Sequence, residues 1–377
     1  MKRPPFCTNP NCPLHNPKEV KKRNRKKIIS FYKNGTHYTS AFGFIQRFIC
    51  TLCKTTCSTQ SFSLDYYAKR KISYKSIVSN HNSCTNIRAS SRLLNCSTGT
   101  ISNRLMRFSR QCIAVETLIR DQITLAENIV VDGFESYVNN QYHPNNINIA
   151  VGSESNHIYA QSYTQLNRKG SMTTVQKKRA KILKESEPIP LGHMESSFRH
   201  LCIQLENIKH STKKTINLYS DKNSAYRAPI EKMGSSFSHF TISSHDPRVQ
   251  GNPLQPVNYS DREFRKDLAE HVRETVCHGR DTNCQLERMS CYIFYHNYWK
   301  QFRINDPVSR KNIHHSDIAG ISKEVVTSAS KNIFTKRLFI SHIYDQLSWY
   351  HLLLWFRLFK TPEKESAQYL PKFLINY

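Results

Sequence analysis

INLYSDKNSAYR, residues 216–227, begins as an apolar run and stops at a group of turn-forming residues. Ile216 and Leu218 alternate with polar residues, as in a half-buried strand, and the run ends on Asp221. Asp and Asn favour turns because their side chains bond the nearby backbone. Taken alone, the stretch predicts a strand followed by a turn. Whether Asp221 does more depends on what else the chain places near it.

A second apolar run that ends on an acid lies earlier, at NIVVDG (128–133), where Asp132 follows a β-branched run. The patterns around the two runs predict three strands, a helix, a strand, a helix, a strand and a helix. The first seven lie at 127–136, 145–152, 157–166, 193–208, 216–221, near 224–233 and at 239–243. This order predicts an RNase H-like α/β fold, a mixed sheet flanked by helices. Its first and fourth strands are central neighbours, so Asp132 and Asp221 are expected side by side.

Two neighbouring carboxylates repel each other unless a cation lies between them. Carboxylate oxygens at a strand end suit Mg²⁺ or Mn²⁺. The sequence therefore predicts a divalent metal site at Asp132 and Asp221, and three carboxylates holding two metal ions would suit phosphodiester chemistry.

A helix that starts near residue 282 offers a third acid. Thr282 and Gln285 form a capping-box pattern, and Glu287 lies beside the apolar stripe of the first two turns. Glu287 could instead pair with a nearby arginine at the surface. We expect Glu287 to be the third metal ligand, ahead of the remaining acidic candidates, which are Glu135, Asp246, Glu274 and Asp281.

The charge of the chain favours a polyanionic partner. Lys and Arg number 55 against 28 Asp and Glu, a formal net charge of +27 over 377 residues. Such an excess attracts nucleic acid first and an anionic membrane second. The membrane reading is weak because the most apolar stretch, at 347–359, is short and contains His351 and Arg357. Without an apolar signal-peptide core near Met1, we expect a cytoplasmic protein with reduced cysteines.

Paired cysteines predict a zinc ribbon over residues 1–62. CTNPNC (7–12) and CTLC (50–53) supply two pairs, and four thiolates at tetrahedral geometry suit Zn²⁺. The expected ligands are Cys7, Cys12, Cys50 and Cys53, although Cys57 or His15 could replace one of them. Strands are expected at 28–32 and 44–49, with Asn34-Gly35 as the hairpin turn. The basic run at 21–27 is either a solvated loop or a phosphate contact.

Residues 63–126 are expected to contain a helix-turn-helix. The stretch 85–111 has two short helical patterns, the second capped by Ser97 and carrying the stripe Ile101, Leu105 and Phe108. A two-helix hairpin without DNA contacts would give the same pattern. The residues expected to face outward and meet base edges in the major groove are Thr98, Thr100, Ser102, Asn103 and Arg104.

Two further regions complete the expected organisation. The catalytic domain spans 127–305 and carries an exposed basic insertion near 168–190. Residues 306–377 form a helical extension that could pack on the core or mediate self-association.

Over residues 5–310 the chain resembles the DDE transposases of bacterial insertion sequences, particularly those with an N-terminal zinc ribbon. The resemblance is carried by CTNPNC…CTLC, VVDGFES (130–136), LYSDKNSAY (218–226) and NCQLERMSCYIFYHNYWKQFRI (283–304). It implies that Asp132, Asp221 and the Glu287 of an Asn-x-x-x-Glu-Arg stretch are the catalytic acids. The spacing from Asp221 to Glu287 is longer than in compact members of the family.

The resemblance also implies a function. An RNase H-like core would cut at transposon ends and transfer strands, while ribbon and helix-turn-helix bind double-stranded DNA at terminal inverted repeats. Target DNA, further copies of the chain and a nucleoid location are implied as well. Two alternatives stay open, a non-catalytic DNA-binding regulator or decayed transposase, and a structure-selective nuclease on the same fold.

Overall fold

The computed structural model describes residues 3–210, 215–233, 237–243, 245–247, 249, 251–272, 275–303, 312–340 and 346–364. Within these residues the fold is mixed α/β, with a five-stranded sheet between helices and a small three-stranded unit near the N-terminus. Two buried apolar clusters follow this division. One includes four cysteines of the N-terminal unit, and the other runs from Leu64 to Trp355.

The N-terminal unit consists of helix α1 (Pro17–Arg25) and strands β1 (Phe31–Thr39), β2 (Gly43–Cys50) and β3 (Thr56–Ser58), paired antiparallel in that order. The strand predicted at 44–49 lies within β2, the strand predicted at 28–32 overlaps β1 only at its last two residues, and the predicted turn at Asn34-Gly35 is wrong. The chain continues through Gly35, which has a φ of 67°, and the β1–β2 register shifts there. The turn lies at residues 40–42, because the left-handed conformation of Gly35 makes a bulge inside the strand.

The central sheet has the strand order β10-β9-β5-β6-β7. β6 pairs antiparallel with β5 and β7, whereas β5, β9 and β10 are parallel. The residues Ile129, Val130 and Val131 of β5 are fully buried, as expected for a β-branched run with helices on both faces. The strands are β5 (Ile129–Tyr137), β6 (Pro144–Gly152), β7 (Ile158–Gln165), β9 (Ile216–Asp221) and β10 (Phe237–Ile242), and a separate parallel pair is β4 (Thr124–Leu125) with β8 (Lys209–His210).

Helices lie on both faces of this sheet. On one face, Ser197 of α6 bonds Asn148 of β6. On the other, Phe264 of α8 packs against Phe134 of β5, and Gln285 of α9 accepts a hydrogen bond from Asn145. The helices of the sheet region are α5 (Thr174–Ser186), α6 (His193–Glu206), α7 (Ser224–Glu231), α8 (Gln255–Asp267) and α9 (Thr282–Tyr298). The basic helix α5 has no buried residue, in agreement with the exposed insertion that the sequence predicts.

Three helices precede the sheet, and they are α2 (Tyr74–His81), α3 (Ile87–Leu93) and α4 (Thr98–Arg120). The predicted stripe of α4 is buried, with Ile101, Leu105 and Phe108 at most 2% exposed. These residues share one apolar cluster with the sheet. The long α4 packs against α9 on the side away from the strands. Helices and sheet therefore form a single core.

The described C-terminal residues pack on the same core. They include α10 (His315–Ile318), α11 (Lys323–Ser330) and α12 (Trp349–Trp355). Arg110 of α4 donates to the backbone oxygen of Trp355 at 2.8 Å. Glu363 accepts hydrogen bonds from Asn139 and Asn140 in the turn between β5 and β6. The C-terminal segment thus reaches from α4 to the turn that follows the central strand.

Candidate functional site

The four predicted cysteines of the N-terminal unit come together. The ligand atoms of Cys7, Cys12, Cys50 and Cys53 all lie within 4.8 Å of one another. The Sγ atoms of Cys7 and Cys53 are 3.4 Å apart, and those of Cys12 and Cys50 are 3.7 Å apart. Tetrahedral Zn–S bonds of about 2.3 Å place sulfurs about 3.8 Å apart. The group could therefore hold a structural metal such as zinc.

The two alternative ligands lie outside this group. His15 bonds the backbone oxygen of Cys7 through Nδ1 at 2.7 Å. Cys57 is buried nearby on β3, and burial together with the charges of Cys50 and Cys53 raises the pKa of its thiol to about 11. Neither residue belongs to the four side chains whose ligand atoms lie within 4.8 Å of one another, so the four-cysteine set is complete without them.

Asp132 and Asp221 occupy matching positions on neighbouring strands. The parallel pairing of β5 with β9 joins Val131 to Ser220, and each acid is the next residue of its strand. Side chains alternate between the faces of a sheet, so both acids face the side on which Phe134 meets α8. The two carboxylates are adjacent, half-buried and of like charge, an arrangement that favours a bound cation.

Each aspartate also fixes the backbone that follows it. An Oδ1 of Asp132 accepts from the backbone nitrogen of Gly133 at 2.8 Å, and Oδ1 of Asp221 accepts from that of Asn223 at 3.1 Å. Asn223 in turn caps α7 by accepting from Ala225. The turn predicted after the INLYSD run is therefore present, and it holds Asp221 at the strand end.

A further acid on this face, Asp261, is not among the candidates that the sequence predicts. Helix α8 runs alongside β5 in the same direction, because Phe264 meets Phe134 and Arg265 donates to the backbone oxygen of Glu135. Asp261 lies one turn before these contacts, about 4.5 Å back along the helix axis. Asp132 lies two residues before Phe134, about 6.6 Å back along the strand. Asp261 is therefore level with Asp132.

The side chain of Tyr226 on α7 lies near all three acids, Asp132, Asp221 and Asp261. Its side chain is 2% exposed and bonds Asn148. Burial raises the pKa of the Tyr226 hydroxyl, and the charges of Asp132, Asp221 and Asp261 raise it further. Three carboxylates from two strands and a helix thus act on one buried hydroxyl. A signal for Asp261 existed in the sequence, since it interrupts the helical stripe Leu254, Val257, Phe264 and Leu268.

Glu287 requires a correction, because its contacts lie on another side of α9. Gln285 faces the sheet, where it bonds Asn145 of β6. Glu287 is two residues further, a rotation of about 200° around the helix. There its Oε1 lies 3.4 Å from Nε of Arg357, and burial raises the pKa of Glu287 to about 7 against the opposing charges of Arg357 and Arg110. The expected trio of Asp132, Asp221 and Glu287 is therefore not assembled.

The helix start also differs from the prediction. Thr282 is the first residue of α9, but Asp281 caps it by accepting from the backbone nitrogen of Cys284. Asp281 is further bound by Arg357 and Lys364. The remaining acidic candidates give no site either. Glu135 and Asp246 are exposed, and Glu274 lies outside the described residues.

The predicted DNA-contact residues divide into two groups. Thr98 and Asn103 are exposed at the start of α4, and Thr100 and Ser102 are half-buried. Arg104 is a correction: it is 4% exposed and bonds Asp65, the hydroxyl of Tyr74 and the backbone oxygen of Arg70. Arg104 lies on the same face of α4 as Ile101 and Leu105, so its side chain points inward. Arg104 therefore stabilises the fold and cannot reach a base.

Across the described parts of the chain, only the four cysteines form a group of three or more His, Cys, Asp or Glu side chains with ligand atoms within 4.8 Å. The three aspartates around Tyr226 are spaced more widely than this limit. No described helix is long and apolar enough to cross a membrane. No protein-family model matches the chain, and neither does any curated protein.

Proposed function

We propose that the protein is a metal-dependent DNA transposase of the DDE type, which cuts DNA at transposon ends and joins strands. One observation carries the proposal. Asp132 and Asp221 follow the paired residues Val131 and Ser220 on adjacent central strands and face the same side of the sheet. Two like charges side by side repel each other unless a cation is bound, so we infer a function that uses both.

Strand order and direction support an RNase H-like fold. In chain order, the five strands of the sheet lie as fifth, fourth, first, second and third. The second strand is antiparallel to its neighbours and the other pairs are parallel. This is the arrangement in which the first and fourth strands present catalytic acids together, as the sequence predicts for Asp132 and Asp221.

We infer that Asp261, and not Glu287, supplies the third carboxylate. Asp132, Asp221 and Asp261 all present oxygen ligands, which Mg²⁺ and Mn²⁺ prefer. The chemistry that two bound ions supply is activation of water or a 3′-hydroxyl and stabilisation of the leaving oxygen. The aspartates would hold and orient the ions. Glu287 acts in the fold, where Arg357 binds it.

Two accessory regions fit a DNA substrate. We propose that the four-cysteine group binds zinc and that α3 and α4 form the predicted helix-turn-helix, which presents Thr98 and Asn103 to DNA. The net charge of +27 favours a polyanion, and the basic helix α5 has no buried residue. Terminal inverted repeats and a homo-oligomeric working complex belong to the same proposal.

The test is strand cleavage and joining by the full-length chain. The protein is incubated with duplex DNA that carries the sequences flanking its own coding region, with Mg²⁺ or Mn²⁺. We expect Asp132→Asn, Asp221→Asn and Asp261→Asn each to lower the cleavage rate by at least about 1,000-fold. Their DNA affinity in the absence of added metal should stay within about twofold of the wild type, because none of them is expected to contact a phosphate directly.

Two control variants make the assignment specific. Asp246→Asn changes the net charge equally at an exposed position and should retain cleavage. Glu287→Gln should also retain it, so a dead Glu287→Gln with an active Asp261→Asn would reverse the assignment of the third acid. DNA binding without cleavage in either metal would indicate a regulator, and cleavage without joining would indicate a nuclease. Both outcomes contradict the proposed transposase.

A further inference from the structure

A groove separates the helices α3 and α4 from the segment that precedes α9, with a volume of about 440 Å³. One wall is α3 with the first turn of α4, where Thr98 and Ser102 line the groove. The other wall is formed by residues 276–281. The walls meet where Nδ2 of Asn86 lies 3.5 Å from Sγ of Cys277. Parts of the chain almost 200 residues apart therefore build one concave surface.

The groove carries positive charge at its rim. Arg88 and Arg92 on α3 and Arg280 on the opposite wall are all exposed. Among the described residues, none of the three arginines has a carboxylate within 4.0 Å. The charged residues deeper in the groove are already neutralised, since Arg288 pairs with Glu270 and Asp281 pairs with Arg357. The rim charges are thus available to a ligand, while those inside stabilise the fold.

The position of the groove relates it to the three aspartates. Gly279 bridges Val138 immediately after β5, and Asn139 donates to the backbone oxygen of Gly279 at 2.7 Å. Val138 lies six residues beyond Asp132 along an extended chain, a distance of about 20 Å. One DNA strand advances 3.4 Å per nucleotide, so about six nucleotides span this distance. The groove wall at Gly279 therefore lies about six nucleotides of one strand from Asp132.

We propose that this groove, which we call the rim-arginine groove, binds the phosphate backbone of one DNA strand through Arg88, Arg92 and Arg280. The hydroxyls of Thr98 and Ser102 add uncharged donors on the α4 wall. The inference rests on the proposed DNA substrate. It adds a fixed distance, in nucleotides, between the phosphates bound in the groove and the bond that is cleaved. It also gives the predicted helix-turn-helix a second function, since α3 contributes phosphate contacts in addition to the base contacts expected of α4.

The test is the salt dependence of DNA binding by the full chain. Binding to a labelled random-sequence duplex is measured by fluorescence anisotropy, without added divalent metal. The variant R88A/R92A/R280A removes the three rim charges. We expect its affinity to fall by at least about tenfold at moderate salt. The negative slope of log K against log salt should become shallower by about 2.7, or 0.9 per lost phosphate contact. On the duplex with the sequences that flank the coding region, hydroxyl-radical footprinting should lose protection on one strand about six nucleotides from the bond that the wild type cleaves.

A comparison variant, R199A/R227A/K232A, removes three exposed positive charges from the α6–α7 side of the sheet, where Arg199 and Arg227 pair with glutamates. It should leave the salt slope almost unchanged. Equal slopes for the rim variant and the wild type, with both proteins folded by circular dichroism, would overturn the groove assignment. Cleavage by the wild type is measured separately. Failure to cleave would contradict the catalytic proposal and leave the binding result standing, whereas an unchanged slope would remove the groove alone.

Discussion

At the scale of single residues, Asp221 combines two properties that are usually treated as alternatives. It ends β9 and bonds the backbone of Asn223, so it acts as an ordinary turn residue. It also lies beside Asp132 on the next strand, so two carboxylates lie next to each other on one face of the sheet. The turn fixes the direction of the side chain, and a fixed direction is what a metal ligand requires.

Arg104 gives the residue-scale prediction. Arg104→Met should lower the free energy of unfolding by about 3 kcal/mol, because it leaves the carboxylate of Asp65 without its buried partner. Urea denaturation measures this loss. DNA affinity, measured where both proteins are fully folded, should be unchanged, since the guanidinium is buried.

Asn103 is the matched control on the same turn of α4. Asn103→Ala should change the free energy of unfolding by no more than about 0.5 kcal/mol, since the residue is exposed. It should weaken binding to the cognate DNA. If Arg104→Met reduced DNA affinity and left stability intact, the inward orientation of Arg104 would be wrong.

At the scale of elements, the N-terminal unit depends on its four cysteines. Its buried cluster has eight members, and four of them are cysteines. So small an apolar core cannot hold α1 and β1–β3 by itself, whereas a structural metal contributes on the order of 10 kcal/mol. Cys12→Ser should therefore abolish metal binding and unfold the unit. Metal analysis and hydrogen exchange of residues 5–58 measure the two effects.

Cys84→Ser is the control for this prediction, because Cys84 is exposed and lies outside the group of four. It should retain one metal ion per chain. Full metal content in Cys12→Ser, or a protected unit after chelation of the metal, would show that the cysteines pack without a metal.

Element patterns explain which features could be predicted from the sequence. The β-branched run before Asp132 and the cap at Ser97 have strong local signals, and both are where the sequence predicts them. Asn34-Gly35 gives the signal of a turn, but the same left-handed glycine also suits a bulge. Glu287 lies near an apolar stripe, yet only the packing of α9 decides that Gln285 faces the sheet. Asp261 interrupts the apolar stripe of α8, but this signal becomes informative only once α8 is known to pack beside β5, which depends on contacts between distant residues.

At the scale of the whole molecule, buried histidines should make the fold sensitive to acid. Burial lowers the pKa of each from the usual 6.5, to about 4 for His81, His271 and His315 and about 3 for His157 and His351, and well below the usual value for His296. Below pH 6.5 the unfolded chain binds more protons than the folded one. Stability is therefore greatest above this pH and is lost as the pH falls towards the folded values.

In that pH window, each of these histidines lowers the free energy of unfolding by up to about 1.4 kcal/mol for each pH unit of acidification. Glu116 and Glu287 act in the opposite direction, because burial raises the pKa of each to about 7, but they are fewer. We expect a lower urea midpoint at about pH 5 than at about pH 7.5. His315→Asn should reduce this difference, and His37→Asn, at an exposed position, should not. A midpoint that rises on acidification would contradict the prediction.

The C-terminal contacts have a consequence for a chain that is cut by a protease before residue 357. Glu363 binds the turn after β5, and Arg357 binds Glu287 of α9. Such a cut would remove both contacts and leave the buried carboxylate of Glu287 without the guanidinium that faces it. The shortened chain would keep Asp132, Asp221 and Asp261 in its sequence, but α9 and the turn after the central strand would be held less firmly.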